Sequence, residues 1–108
     1  MKKSPSAPTT LSTEARKWWR KLVAEYGVTD QAGLLLLQTA LEAFDRMREA
    51  QATLAADGSV IEDRFGQKKA HPATVTERDS RSQMLVALRQ LNLDIADDWD
   101  GSGRPVGR

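Results

Sequence analysis

The amino-acid sequence predicts a mainly α-helical protein with three helices and a short β-hairpin or extended loop between the second and the third. Three segments repeat apolar residues at steps of three and four, the spacing that places side chains on one face of an α-helix. Each of these segments follows a side chain that can cap a helix. We therefore expect helices at about residues 12–26, 30–57 and 72–91, and the hairpin at about residues 59–70.

The first helix has a well-marked start and end. Ser12 or Thr13 can cap its first turn, and Gly27 can end it in a left-handed conformation. Its apolar stripe consists of Ala15, Trp18, Trp19, Leu22, Val23 and Tyr26. Four basic residues lie mostly off that stripe: Arg16, Lys17, Arg20 and Lys21. They form either the solvated back of a core helix, which this helix taken alone favours, or a surface that faces DNA.

The second helix is long, roughly 27 residues or about 40 Å at the rise of an α-helix. Thr29 or Asp30 can cap it. Its main stripe consists of Leu34, Leu37, Leu41, Phe44, Met47, Gln51 and Leu54. A second apolar side is formed by Leu35, Leu36 and Ala40. Because one partner helix cannot cover both sides, another copy of the chain is the simplest cover, and an intramolecular helix on each side is the alternative.

The segment after the second helix changes character. Val60 and Ile61 favour a strand, and Phe65 with Gly66 favours a turn before the polar and basic residues 67–69. The third helix is expected to open at His71 and Pro72, which suit the cap and the first turn. Its apolar residues are Val75, Met84, Leu85, Leu88 and Leu91, and Asn92 can end it.

Composition divides the chain into three parts. Residues 1–10 combine prolines, serines and threonines with Lys2 and Lys3, which predicts a flexible basic arm. Residues 11–93 form the predicted helical domain. Residues 94–108 are first acidic and then contain glycine and proline, which predicts a disordered tail.

The net charge of +1 conceals an uneven distribution along the chain. Residues 1–27 carry six basic and two acidic side chains, whereas residues 28–63 carry two and seven. A basic head before an acidic middle suits either a nucleic-acid contact or charge-complementary packing between subunits.

The sequence offers little for catalysis or metal binding. It has no cysteine, which excludes disulfides, thiolate metal sites and cysteine nucleophiles. The single histidine, His71, precedes a proline and lacks a nucleophile context, so a capping role is favoured. Phosphate-cradling glycine motifs are absent, and the carboxylates of the tail lack EF-hand spacing. We expect no enzyme activity, no cofactor, no metal and, without a long apolar run, no membrane span.

Several stretches in sequence order resemble one known family. They are the Trp-containing first helix closed by Gly27, the second helix carrying "ALEAFDRMREA", the stretch "FGQKKAHPA", and a final helix that ends in "LNL". In this order they resemble the small terminase subunits of tailed bacteriophages, in particular the compact family found beside an HNH endonuclease in phages with cohesive ends. The resemblance runs from about Leu11 to Leu93. It departs at His71, where the family usually has Asn, and at Asn92, where Gly is usual; both replacements keep the local capping role.

The resemblance implies a non-enzymatic subunit of the packaging machinery in the host bacterial cytoplasm. Such a subunit recognises double-stranded viral DNA, forms a homo-oligomeric ring larger than a dimer, and works with a large terminase subunit that supplies ATPase and nuclease. The basic side chains of this sequence that suit DNA binding are Arg16, Lys17, Arg20, Lys21, Lys2, Lys3, Arg64, Lys68 and Lys69, and the first helix is preferred over the hairpin because its charge is denser. The implied core or oligomer residues are Trp18, Trp19, Leu22, Leu34, Leu36, Leu37, Leu41 and Phe44.

Two other functions are also compatible with the sequence. One is a small helical protein-interaction module, such as a toxin–antitoxin partner or a transcription cofactor, that does not bind DNA. The other is a helix-turn-helix repressor, which ranks lower because the start of the second helix offers only Asp30 and Gln31 for reading bases. Salt-dependent retention on DNA separates the terminase subunit from the interaction module, and subunit number separates a ring from a repressor dimer.

Overall fold

The computed structural model describes residues 5–91. They form, in chain order, helices α1 (Thr13–Tyr26) and α2 (Gln31–Asp57), strands β1 (Val60–Glu62) and β2 (Lys68–Ala70), and helix α3 (Ala73–Gln90). The mainly α-helical class, the three helices and the hairpin are therefore confirmed, with boundaries one residue inside the predicted ones at most helix ends. Assembly into a ring stays a prediction, and Asn92 lies outside the described residues.

Side-chain caps fix where α1 and α2 begin. Ser12, rather than Thr13, accepts a hydrogen bond from the backbone N–H of Ala15 at 3.0 Å. Asp30, rather than Thr29, accepts one from the N–H of Gly33 at 3.0 Å. Each cap satisfies a backbone donor that the first helical turn leaves without an intrahelical partner.

The break between α1 and α2 depends on a glycine. Gly27 has φ of 64°, a left-handed conformation that a residue without a Cβ adopts at no steric cost. Its N–H donates to the carbonyl of Val23 and so closes the last turn of α1. The chain then turns through buried Val28 into α2.

Helices α2 and α3 run antiparallel as a helical hairpin. Side chains pair along its length in opposite chain order: Arg46 bonds Gln83 at 3.0 Å, Gln51 bonds Glu77 at 3.2 Å, and Asp57 meets His71 at 2.9 Å. The last pair also opens α3, because the other ring nitrogen of His71, Nδ1, accepts the N–H of Ala73 at 3.0 Å. Since Nδ1 accepts, Nε2 carries the hydrogen that faces Asp57. The capping role predicted for His71 is therefore performed by its ring, one residue before Pro72.

The two strands form an antiparallel hairpin between α2 and α3. The register pairs Val60 with Ala70, Ile61 with Lys69 and Glu62 with Lys68. Both strands are short and mostly exposed. The hairpin therefore projects from the end of the α2–α3 pair instead of covering its core.

The hydrophobic core lies where α1 crosses the first half of α2. It is formed by Leu11, Ala15, Trp19, Val23, Val28, Leu37, Leu41, Phe44 and Met47. Met84 and Leu88 of α3, and Leu91 directly after α3, pack against it. α1 is also tied to α2 by polar contacts: the backbone N–H and hydroxyl of Ser12 donate to the Asp45 carboxylate, and Arg48 meets Glu14 at 3.3 Å. Within residues 5–91, no helix combines the length and hydropathy needed to cross a membrane.

Candidate nucleic-acid interface

The outward side of α1 carries the four basic residues that were predicted to bind DNA. Buried Ala15, Trp19 and Val23 follow one another at steps of four and turn their side of the helix to the core. Lys17, Arg20 and Lys21 are exposed, and Arg16 is half-buried at the edge of the core. We call these four residues the α1 basic face. None of them forms an ion pair within residues 5–91, so their charges are available to an external anion.

The two tryptophans of α1 have different environments. Trp19 is 3% exposed, and its indole N–H donates to the carbonyl of Pro5 at 3.0 Å. Trp18 is 42% exposed, and the Lys21 ammonium lies 5.3 Å from the centre of its ring. Since consecutive helical residues point about 100° apart, only one of them can lie on the core stripe. Trp18 therefore lies outside the buried core of the single chain, and its predicted role in an oligomer contact stays a prediction.

The hairpin carries the second predicted set of basic residues, all exposed. Arg64 stands at the tip with its guanidinium 5.1 Å from the centre of the Phe65 ring. Lys68 and Lys69 are neighbours on β2 and so point to opposite faces of the hairpin. Lys68 lies opposite Glu62, which lowers the net positive charge on that face. The hairpin set is thus more dispersed than the α1 basic face.

α3 has a third basic surface that sequence reasoning missed. Its outer side presents Arg78, Arg81 and Arg89 around exposed Leu85 and Val86. Two of the arginines are paired on the helix, Arg78 with Asp79 and Arg81 with Glu77. The three arginines lie at helical spacing in the sequence, but only the packing of α3 on α2 shows that they share one outward surface.

An apolar groove runs between α2 and α3 at the end opposite the hairpin. It has a volume of about 510 Å³ and is lined by Leu36, Thr39, Ser82, Gln83, Val86, Ala87 and Gln90. Leu36 is half-buried there, and its neighbour Leu35 is 66% exposed. Since Asp45 and Arg48 bind α1 from a different side of α2, this groove faces away from α1.

The other predicted core or oligomer residues are buried to different degrees. Leu37, Leu41 and Phe44 are buried. Leu22 and Leu34 are partly buried and pack against the same cluster. Lys2 and Lys3 of the predicted arm lie outside the described residues, while Ala7 of that stretch packs against the core. The assignment of all these residues to DNA binding or to assembly stays a prediction.

Comparison with models of known protein families identifies the family of this chain. The model described as phage terminase, small subunit, matches residues 15–98 and so covers α1 except its first two residues, and all of α2, the hairpin and α3. The chain belongs to the phage terminase small-subunit family. As a terminase small subunit it has a role in phage genome packaging, and the suspected relationship is confirmed. No curated protein and no solved structure matches the chain.

The part matched to the terminase small subunit contains every basic surface described above. The α1 basic face, the hairpin and the outer side of α3 all fall within residues 15–98. Lys2 and Lys3 precede that range. These three candidate surfaces are therefore part of the matched range, whereas the contribution of Lys2 and Lys3 to DNA binding stays a prediction.

Proposed function

We propose that this chain is the DNA-recognition and regulatory subunit of a phage packaging terminase. In this role it binds double-stranded viral DNA as a homo-oligomeric ring and loads or stimulates the large ATPase and nuclease subunit, without catalytic activity of its own. The observation that carries the proposal is the α1 basic face, whose four cations lie on one helix and have no ion-pair partner within residues 5–91. The chain that carries this face is a terminase small subunit. The host bacterial cytoplasm is the corresponding location.

Phosphate contacts explain why such a small surface is sufficient. Each cation that neutralises a phosphate releases condensed counterions and adds a term to the binding free energy that falls as salt rises. One copy of the α1 basic face offers at most four such contacts, but a ring repeats them in every subunit. Sequence preference would come from DNA shape or from a partner as much as from base contacts.

The exposed apolar surface supports assembly. Single chains seldom leave contiguous apolar surface in water. Val86 lines the α2–α3 groove, and Leu85 and Leu35 are the chain neighbours of the groove residues Val86 and Leu36; all three are about half exposed or more. Trp18 lies on a different helix and is also exposed. Two unlike apolar surfaces on one chain suit a head-to-tail contact between neighbours, which closes into a ring when the rotation between them allows it.

Charge reversal on α1 tests the proposal. The double variant Arg20→Glu, Lys21→Glu should weaken binding to duplex DNA containing the packaging site while leaving the assembly unchanged, because both side chains point to solvent. The slope of log K against log salt should become shallower by about 0.9 for each phosphate that the variant no longer neutralises. Fluorescence anisotropy across a salt series measures both quantities, and native mass spectrometry checks the assembly.

Reversal of Lys68 and Lys69 to Glu is the matched comparison, with the same change of charge on the hairpin. Wild-type affinity in the α1 variant, together with abolished binding in the hairpin variant, would show that the hairpin is the phosphate-binding element and α1 a scaffold. Failure of the wild-type protein to bind DNA at low salt would reject DNA recognition altogether and favour the protein-interaction module.

A further inference from the structure

The tip of the β-hairpin exposes an aromatic side chain to solvent. Phe65 is 75% exposed, more than any other large apolar side chain in residues 5–91. The hairpin strands end three residues before it and begin again three residues after it, so its ring lies at the apex of the projection. Most of the apolar surface of this ring is therefore left for an external contact to bury.

The turn that holds Phe65 is fixed by hydrogen bonds. One carboxylate oxygen of Asp63 accepts the backbone N–H of Phe65 at 2.8 Å and that of Gln67 at 3.0 Å. The backbone of Asp63 pairs with Gly66 and Gln67, each at 2.9 Å. Gly66 has φ of 80°, which this tight turn requires and which side chains with a Cβ rarely adopt. Hydrogen bonds therefore hold the backbone around Phe65 in a defined turn.

The charged side chains near the ring are three cations and two carboxylates, which leaves a net charge of +1. The Arg64 guanidinium lies over the Phe65 ring, and Lys68 and Lys69 follow on β2. The two carboxylates are that of Glu62, which lies opposite Lys68, and that of Asp63, which accepts two backbone N–H groups. An aromatic ring among cations suits an anionic partner that also has flat apolar surfaces.

We infer that the hairpin tip is a DNA wedge: Phe65 inserts at a base-pair step from the minor groove, and Arg64 binds the adjacent phosphate. Duplex DNA supplies both surfaces, because a partly unstacked step exposes base faces and the backbone beside it carries the negative charge. Insertion bends the duplex, and a bent duplex follows the outside of a ring more closely. This inference rests on the proposed function and adds to it a contact that is apolar and distinct from the phosphate contacts of α1.

Replacement of Phe65 by Ala tests the wedge. Fluorescence anisotropy gives the Kd for packaging-site duplex over a salt series, and energy transfer between dyes at the two duplex ends gives the bend. Phe65→Ala should weaken binding about tenfold, the effect of removing one aromatic ring that stacks on a base, and should reduce the bend. The salt slope should not change, because no cation is removed. Phe65→Leu, which keeps an apolar side chain of wedge-forming type, should retain most of the bend.

Val60→Ala is the matched control, because Val60 is 56% exposed on the same hairpin but lies at its base. It should bind and bend DNA like the wild type. Wild-type affinity and bend in Phe65→Ala would overturn the wedge while leaving the proposed function intact. Loss of assembly in Phe65→Ala, seen by native mass spectrometry, would overturn it in favour of a contact with a second copy. A wild-type protein that binds no DNA would reject the proposed function and the wedge together.

Discussion

Individual residues of α1 show how two chemically similar neighbours acquire different roles. Trp19 shares a stripe with Ala15 and Val23 and is buried, whereas Trp18 is rotated toward solvent beside Lys21. The hydrogen bond from Trp19 to Pro5 also satisfies the indole N–H, which would otherwise be an unpaired donor inside the core. The Trp19 side chain therefore stabilises the folded chain, and the Trp18 side chain is available for contacts with other molecules.

Truncation of each tryptophan separates these roles. Trp19→Ala removes a large side chain from the core and should lower the free energy of unfolding by about 3 to 5 kcal/mol, enough to threaten a domain of this size. Trp18→Ala is the matched control and should cost far less, since its ring is 42% exposed. Urea unfolding followed by circular dichroism measures both. Unchanged unfolding together with abolished DNA binding in Trp19→Ala would show that Trp19 is a surface residue.

The sequence alone could not choose between these two tryptophans. Both fit steps of three and four with Leu22 and Tyr26, because an apolar stripe on a helix is wide enough to include either one. The choice depends on where α2 and Pro5 lie relative to α1, which is tertiary information. For the same reason Leu36 could be identified as apolar, but not as half-buried at a groove.

At the scale of elements, the helices were predictable because their ends are encoded locally. A capping side chain and a glycine with positive φ act within a few residues, so the ends of α1 and the start of α2 follow from short motifs. The hairpin was less definite, since its strands of three residues are too short to show alternation. The shared surface of the α3 arginines could not be predicted, because which side of α3 faces outward depends on where α2 packs.

Ser12 links the start of α1 to α2 and gives a test at this scale. Its hydroxyl caps α1 at Ala15 and also donates to Asp45, 33 residues further along. Ser12→Ala should destabilise the protein by about 0.5 to 2 kcal/mol, the usual cost of removing a cap, with a further destabilisation from the missing bond to Asp45. Thermal unfolding measures the change. Thr13→Ala is the control, because Thr13 was the alternative cap and does not cap the helix; equal destabilisation by both variants would contradict this role of Ser12.

At the scale of the whole molecule, the chain leaves apolar surface on the α2–α3 pair that the fold itself does not cover. α1 shields the side of α2 that carries Asp45 and Arg48, while the groove at Leu36 and Val86 stays open. A domain of about 100 residues buries a modest share of its surface, so contacts between copies would add stability that the single chain lacks. Assembly and stability are therefore expected to depend on each other.

A charge placed at Leu35 tests assembly without disturbing the fold. Leu35 is 66% exposed, so the single chain tolerates Asp there, whereas Leu36 is half-buried and its replacement would also disturb the packing of α2 on α3. We expect the wild type to be a closed homo-oligomer larger than a dimer at micromolar concentration. Leu35→Asp should dissociate it, because burying an unpaired carboxylate in an apolar contact costs several kcal/mol.

Thr53→Asp provides the control for that experiment. Thr53 is exposed on α2, about five helical turns further along the same side of the helix, so the variant carries the same added charge away from the groove. Native mass spectrometry should show an intact assembly for Thr53→Asp and monomers for Leu35→Asp, with helical circular dichroism retained in both. A monomeric wild type would remove the basis for a ring, and an unchanged mass for Leu35→Asp would place the contact between subunits elsewhere on the chain, with Trp18 of α1 the next surface to replace.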